Sequence, residues 1–284
     1  MSTRKIGVLH PGEMGFAVAV TAKNSGHDVY WCSESRSAES RRRAAAAGLA
    51  DLGSLARLCA ECEVIVSICP PGFTAAVADE LISHSFHGLF IDANAISPEH
   101  ARQIAERITS HGIRFIDGCV IGLPATERGK TWLYLSGPEA EQAARCFTGG
   151  PLECEVLAGG IGQASALKMC FAAHAKGLAA LRAAVLASAS EFGVLGDLER
   201  QWSRSGPAYS AAVGSIQHTA PKAWRFVAEM HEIADTFAAA GMPRGFHLAA
   251  AEIFGRLAPF KGVDKPALED ALRVLAQSKP AGAA

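Results

Sequence analysis

The stretch Ile6-Gly7-Val8-Leu9-His10-Pro11-Gly12-Glu13-Met14-Gly15 decides the reading of the fold. An apolar run meets a tight turn carrying Gly12 and Gly15, and a helical pattern follows at once. A dinucleotide-binding turn uses glycine at such places because the backbone must approach a pyrophosphate and the helix must pack closely on the strand. Amides of the first helical turn then face the phosphates, with the helix dipole behind them. His10, Pro11, Gly12, Glu13 and Met14 are therefore candidate cofactor contacts. The trio of glycines is incomplete. His10 stands in the first position, which serves the tight turn, and histidine is among the residues that tolerate unusual backbone angles. The alternative is a strand-helix corner of some other α/β fold.

Outward from this turn the pattern repeats. Strand-like runs fall at residues 5–9, 28–32, 64–69, 88–92, 114–120, 131–136 and 154–157. Helical patterns separate the early ones, at 14–25, 74–83 and 98–110, the last opened by the capping pair Ser97-Pro98. Strands alternating with helices predict a Rossmann-like, mostly parallel sheet. Beyond Gly160 strand-like runs disappear. Ala, Leu, Glu and Arg recur there at helical spacing, broken at Gly193, Gly206-Pro207, Gly241-Met242-Pro243 and Pro259. The expected class is α/β, with a nucleotide-binding domain over 1–160 and an all-α domain over 161–284 that carries substrate contacts and dimerisation. The tail 279–284 reads as disordered.

Composition excludes several function classes. The chain has 284 residues, 49% hydrophobic and 19% charged, with net charge −1. This suits a buried core and gives no broad field for nucleic acid or anionic membrane. The apolar segment from Ala164 to Phe192 is interrupted by Lys168, His174, Lys176 and Arg182, so it reads as a buried helix and no membrane partner is expected. The start MSTRKIGVLHPG contains no signal stretch. Eight cysteines lie mostly in apolar runs, which fits free thiols in a reducing cytoplasm. Cys59-x-x-Cys62 has metal spacing, but no second pair follows and no histidine stands at ligand spacing, so no metal is expected.

The second strand runs out through Val29-Tyr30-Trp31-Cys32 into Ser33-Glu34-Ser35-Arg36-Ser37. An acid here holds the adenosine ribose of NAD, whereas an arginine accommodates the extra phosphate of NADP. Glu34 offers the first and Arg36 the second. Ser33, Ser35 and Arg36 can form a phosphate pocket, with Arg41, Arg42 and Arg43 adding positive field or lying on a solvated helix face. NADP(H) is favoured and NAD(H) remains open.

Four further segments carry a resemblance. Val64-Ile65-Val66-Ser67-Ile68-Cys69-Pro70-Pro71 is a strand leading to prolines. Phe90-Ile91-Asp92-Ala93-Asn94-Ala95-Ile96-Ser97-Pro98, Phe115-Ile116-Asp117-Gly118-Cys119-Val120-Ile121-Gly122 and Gly162-Gln163-Ala164-Ser165-Ala166-Leu167-Lys168 are the others. Together with Gly12-Glu13-Met14-Gly15, the chain resembles the β-hydroxyacid dehydrogenase superfamily, which includes 3-hydroxyisobutyrate and 6-phosphogluconate dehydrogenases and, more distantly, imine reductases. The C-terminal part resembles a less characterised, 6-phosphogluconate-dehydrogenase-like branch. The resemblance implies that Cys69, Pro70 and Pro71 lie beside the cofactor, and it implies a homodimer, a small-molecule substrate and a catalytic lysine at Lys168. It also shows departures. Ile121 stands where the family has a carboxylate-holding serine, Phe171 or Ala172 where it has an asparagine, and Asn94 where it has a serine.

Lysine serves hydride chemistry as a general acid or base when burial lowers its pKa. On a helix, Phe171, Ala172 and Ala175 share its face. The residues alone favour a lysine snorkelling to solvent; the resemblance favours catalysis. Asn94, just past a strand end, reads as a ribose or substrate contact or as a turn former. The 120–124 loop, with Ile121 and Gly122, is expected to line an apolar substrate pocket with Phe171 and Ala172. Trp224, His231 and Glu232 read as an amphipathic contact helix, His231 being the alternative proton shuttle. The expected activity is hydride transfer between nicotinamide and a small carbonyl or hydroxy compound, a class that includes β-hydroxy acids. The rivals are reduction of C=N and a non-catalytic dinucleotide sensor.

Overall fold

The computed structural model describes residues 2–125 and 127–277. The tail 279–284 lies outside them. The chain divides into two compact units, Met1–Met169 and Cys170–Ala284.

The first unit runs β1 (Lys5–Val8), α1 (Glu13–Asn24), β2 (Asp28–Trp31), α2 (Ala38–Ala46), β3 (Ala50–Asp51), α3 (Leu55–Glu61), β4 (Val64–Ser67), α4 (Thr74–Ser83), β5 (Leu89–Asp92), α5 (Pro98–Thr109), β6 (Arg114–Gly122), β7 (Thr131–Ser136), α6 (Ala140–Ala144) and β8 (Glu153–Val156). One eight-stranded sheet results, in the order β3-β2-β1-β4-β5-β6-β7-β8. Every neighbouring pair is parallel except β6 with β7. From β1 the chain moves outward through β2 and β3, then returns to the other side of β1 as β4. The crevice beyond the carboxyl ends of β1 and β4 is therefore the switch point at which such sheets bind ligands.

The apolar runs explain why these segments are strands. Val64, Ile65 and Val66, like Leu89, Phe90 and Ile91, are buried on both sides of the sheet. One face packs Ile6, Val66 and Ile91 with Val18 and Ala22 of α1. The opposite face packs Ile65, Phe90 and Phe115 with Leu58 of α3, Leu81 of α4 and Ile104 of α5. Strands covered twice have no polar face to alternate with. Each fully buried side chain of this size contributes about 1.5–3 kcal/mol. The Ser97 hydroxyl accepts from the His100 amide at 3.2 Å and Pro98 fills the first helical position, so α5 starts where its capping pair lies.

α7 (Gln163–Glu191) carries the chain from the first unit into the second. By length and composition alone it could cross a membrane. The second unit continues with α8 (Leu195–Ser203), α9 (Ala208–Thr219), α10 (Ala223–Ala239), α11 (Gly245–Leu257) and α12 (Leu268–Gln277). The expected breaks at Gly193, Gly206-Pro207 and Gly241-Met242-Pro243 all separate helices, and Pro259 lies in a 3-10 turn after α11. Within this unit Lys176 of α7 meets Glu229 of α10 at 2.6 Å, with both side chains largely buried. His174, expected in a core or interface, is exposed.

Candidate cofactor and catalytic site

The turn after β1 is built differently from the expectation for His10. His10 keeps an ordinary negative φ. The turn closes instead by the Gly12 amide donating to the His10 carbonyl at 2.8 Å. Gly15 is the position that cannot change: a Cβ there would stand 2.0 Å from the His10 carbonyl oxygen. Gly12 is the N-cap of α1 and brings no side chain to cap the first amides. A Cβ on Gly12 would meet nothing within 4 Å, so the turn opens onto free space. Pro11 is buried, Met14 half-buried and Glu13 exposed.

Two buried nitrogens at this mouth, His10 Nδ1 and Arg36 Nε, have no hydrogen-bond partner in the protein. Arg36 reaches back from the loop after β2. Burial, then the Arg36 charge, pushes the His10 imidazole down to about 4. The same guanidinium bonds the Cys32 side chain and stands near Cys69. Burial pushes the Cys69 thiol up to about 12, so this thiol stays protonated at neutral pH. Asp51 holds the loop, accepting from the Ser33 amide at 3.1 Å and the Gly53 amide at 2.7 Å. Arg41 donates to the Ser33 carbonyl at 2.7 Å, while Glu34 and Ser35 are exposed. Ser35 adopts φ 57. Open space, uncapped amides and two unpartnered buried nitrogens fit a dinucleotide whose phosphates lie over the turn.

Asn94 lies beside this crevice, just past β5. Its Oδ1 accepts from the Cys69 amide and its Nδ2 donates to Asp92 Oδ1, both at 2.5 Å. The side chain is thus locked, with 2% exposure. Pro70 and Pro71 follow Cys69 and open the short turn that leads into α4.

β6 pairs with β5 only through Asp117, then continues to Gly122 with β7 on one side. The expected 120–124 loop is therefore strand as far as Gly122. On this overhang the Val120 carbonyl accepts from Lys168 Nζ at 2.8 Å. Lys168 is half-buried, and its charge lies near enough to Cys119 to oppose the burial that pushes that thiol up to about 12. Ile121 is 8% exposed and packs with Cys119 and Ala164. Gly122, at φ 128, adopts a conformation that favours glycine.

First-turn geometry explains the placement of Lys168. Gly162 takes φ 101 immediately before α7. The Asp117 carboxylate then receives the Gly162 amide at 2.9 Å, the Ser165 amide at 3.1 Å and the Ser165 hydroxyl at 2.6 Å. Neither Asp117 nor Asp92 was singled out from the sequence. The signal was present: Val64-Ile-Val-Ser67, Leu89-Phe-Ile-Asp92, Phe115-Ile-Asp117 and Leu133-Tyr-Leu-Ser136 each end an apolar run on a polar residue.

The remaining candidates lie in the second unit. Phe171 is half exposed and Ala172 is buried, so the face following Lys168 is not uniformly apolar core. Trp224 is exposed under Lys261 Nζ, 4.2 Å from its ring, and His231 is exposed on α10. Among the described residues no group of three or more His, Cys, Asp or Glu side chains is placed to hold a metal.

Fold and crevice together define a dinucleotide-binding Rossmann protein with a helical second unit. Comparison with known proteins narrows this. The NAD binding domain of 6-phosphogluconate dehydrogenase matches residues 5–146, half of the chain, and a domain of unknown function (DUF1932) matches 189–257. The chain therefore belongs to the β-hydroxyacid dehydrogenase superfamily. It is 27% identical over 173 residues to the mitochondrial 3-hydroxyisobutyrate dehydrogenase of Drosophila melanogaster, a match covering 58% of this chain and 52% of that protein. The match thus spans about half the length of the fly protein. Among solved structures, a conserved hypothetical protein from Sinorhizobium meliloti is 24% identical with TM-score 0.67, covering 97% of this chain and 96% of that one. The 3-hydroxyisobutyrate dehydrogenase of Salmonella typhimurium is 16% identical with TM-score 0.68, covering 95% and 99%. A reductive aminase from Aspergillus terreus, in complex with NADPH4, cyclohexanone and allyl amine, is 16% identical with TM-score 0.55, covering 96% and 99%. These structures show the shared fold.

Proposed function

We propose that the chain is an NADP(H)-dependent oxidoreductase acting on a small carbonyl or hydroxy compound, with Lys168 as the general acid or base. The supporting observation is the lysine held on the β6 overhang, anchored through Val120, at the carboxyl edge of a sheet whose switch point carries an open glycine turn. The bound nicotinamide supplies the hydride. Lys168 Nζ moves a proton to or from the substrate oxygen. Gly12 and the first amides of α1 hold the phosphates, and Asn94 orients the nicotinamide ribose or the substrate.

Arg36 supports NADP(H) over NAD(H). Its guanidinium points back over the turn with one nitrogen unpartnered, whereas Glu34 is exposed. Titration of NADPH and NADH, followed by nicotinamide fluorescence, tests this choice. Arg36→Ala should weaken NADPH by about tenfold, the loss of one charge-assisted contact, and leave NADH unchanged. Tighter NADH binding in the wild type would transfer the role to Glu34.

Lys168→Ala should abolish turnover and keep NADPH binding. Surviving turnover would remove Lys168 from the chemistry, and a wild type that binds NADPH but turns over no substrate class would leave the sensor reading. One observation favours a second chemistry, reduction of C=N. Ile121 packs in an apolar cluster where the superfamily places a carboxylate-holding serine. Parallel screening of cyclic imines and β-hydroxy acids separates the two. The assembly we propose is a homodimer through the helical unit, which exposes Phe171, Leu181 and Phe192; light scattering measures it. The compartment we propose is the cytoplasm, where eight cysteines remain thiols.

A further inference from the structure

Two buried carboxyls play no part in the reading above, and they face each other. Ser67, Asp92, Asp117 and Ser136 are register partners across β4, β5, β6 and β7. All four are at most 2% exposed. Adjacent strands lie about 4.8 Å apart, so this is a continuous polar row beneath the carboxyl edge of the sheet. One end touches Asn94, which donates to Asp92 through its backbone amide at 3.0 Å and through Nδ2. The other end touches the first turn of α7.

The two carboxyls are served unequally. Asp117 receives four bonds, from the Ser136 hydroxyl at 2.9 Å, the Gly162 and Ser165 amides and the Ser165 hydroxyl. Asp92 receives its two bonds at Oδ1, and its Oδ2 is buried without a partner. Two like charges on adjacent strands inside a core cannot both persist. Burial pushes both carboxyls up, and the bonds from Ser165, Ser136 and Gly162 pull Asp117 back, so the charge belongs on the better-served carboxyl.

We propose that Asp92 and Asp117 are positioning residues sharing one negative charge: charged Asp117 seats the first turn of α7 and thereby Lys168, and uncharged Asp92 orients Asn94. The proposal rests on the roles given above to Lys168 and Asn94. The groups facing Asp92 are Asp117 from β6, His100 from α5 and the Cys69 thiol beyond β4. Burial first, then the Asp117 charge, pushes Asp92 up to about 7 against the pull of the Asn94 bonds.

The isosteric variants separate the two roles. Asp92→Asn reproduces the uncharged form. At pH 6 its kcat should fall far less than that of Asp117→Asn. Asp117→Asn turns an amide group toward donors. Its kcat should fall about 100-fold, as when a catalytic group is misplaced by an ångström, with NADPH affinity nearly unchanged. If Asp117→Asn fails to fold, Ser165→Ala carries the test through a smaller loss of kcat. Equal damage from Asp92→Asn and Asp117→Asn, or undiminished kcat in Asp117→Asn, would overturn the proposal.

A second readout is independent of turnover. An unfolded aspartate ionises near 4, whereas Asp92 in the fold holds its proton to about 7. The folded wild type therefore binds the extra proton across that window, and its stability falls as pH rises from 4 to 7. Thermal unfolding of wild type against Asp92→Asn, from pH 4 to 8, should show the variant gaining relative to wild type up to pH 7 and no further. Parallel curves would overturn the charge sharing. The expected divergence in a protein without turnover would uphold the carboxyl pair and sink the oxidoreductase reading instead.

Discussion

The two units bury charge in opposite ways. In the nucleotide-binding unit, carboxyls of one sign are answered by a hydroxyl from β7, by Asn94 just past β5 and by amides and a hydroxyl at the start of α7. In the helical unit a lysine meets a glutamate directly, Lys176 to Glu229, with Lys176 also 5.0 Å from the centre of the Phe226 ring. A self-neutral pair sets helix register. A row of like groups is tuned by protons and fixes atoms at a ligand site. The contrast locates precision where a cofactor and substrate must be held, and bulk adhesion where helices must merely stay in step.

Four measurements sharpen or break this contrast. Glu229→Ala leaves a largely buried ammonium without its carboxylate and should cost about 3–5 kcal/mol in denaturant unfolding; a cost under about 1 kcal/mol would mean that the pair is solvated. Replacing both partners, Lys176→Met with Glu229→Leu, should return stability to within about 1 kcal/mol of wild type or above it, since apolar packing substitutes for a paired charge. His10 supplies the third test. Its imidazole is held down to about 4 by burial and Arg36, while an unfolded histidine protonates near 6.5. The unfolded chain then binds more protons between these values, so His10 lowers stability as pH falls through that window. This slope opposes that of Asp92, and His10→Asn should unmask it as a weaker acid sensitivity in thermal unfolding. The smallest effect belongs to the exposed pair Arg57–Glu61, one turn apart on α3. Arg57→Ala should cost less than about 0.5 kcal/mol, which makes burial rather than pairing the variable that matters.

The α/β class was legible because doubly covered strands are continuous apolar runs, and seven of the eight lay where such runs stand. β3 escaped because Ala50–Asp51 is two residues long. The helix Leu55–Glu61 was too short for a firm period. Glycines marked the nucleotide turn, but the reason for Gly15 is a carbonyl 2.0 Å away, which spacing alone does not show. His10 was read as a backbone feature, and it is a side chain held neutral beside Arg36. The polar row was hidden because Ser67 and Ser136 are far apart in the chain and meet the two aspartates only through strand register. Lys168 was visible through the Gly162–Lys168 segment, whereas its Val120 carbonyl partner belongs to a strand that had been read as ending there.

The row across β4 to β7 also bears on how the sheet assembles. Parallel strands are joined by long crossovers, and their pairing is slow to find. Doubly buried apolar strands give little warning when they pair one residue out of step, because Val, Ile and Leu fit either face. A slip of β6 by one residue against β5 would send Asp117 to the opposite face, into Ile91 and Val18 territory and away from every donor that answers it. The same four side chains that line the carboxyl edge of the finished sheet thus also penalise every register but one.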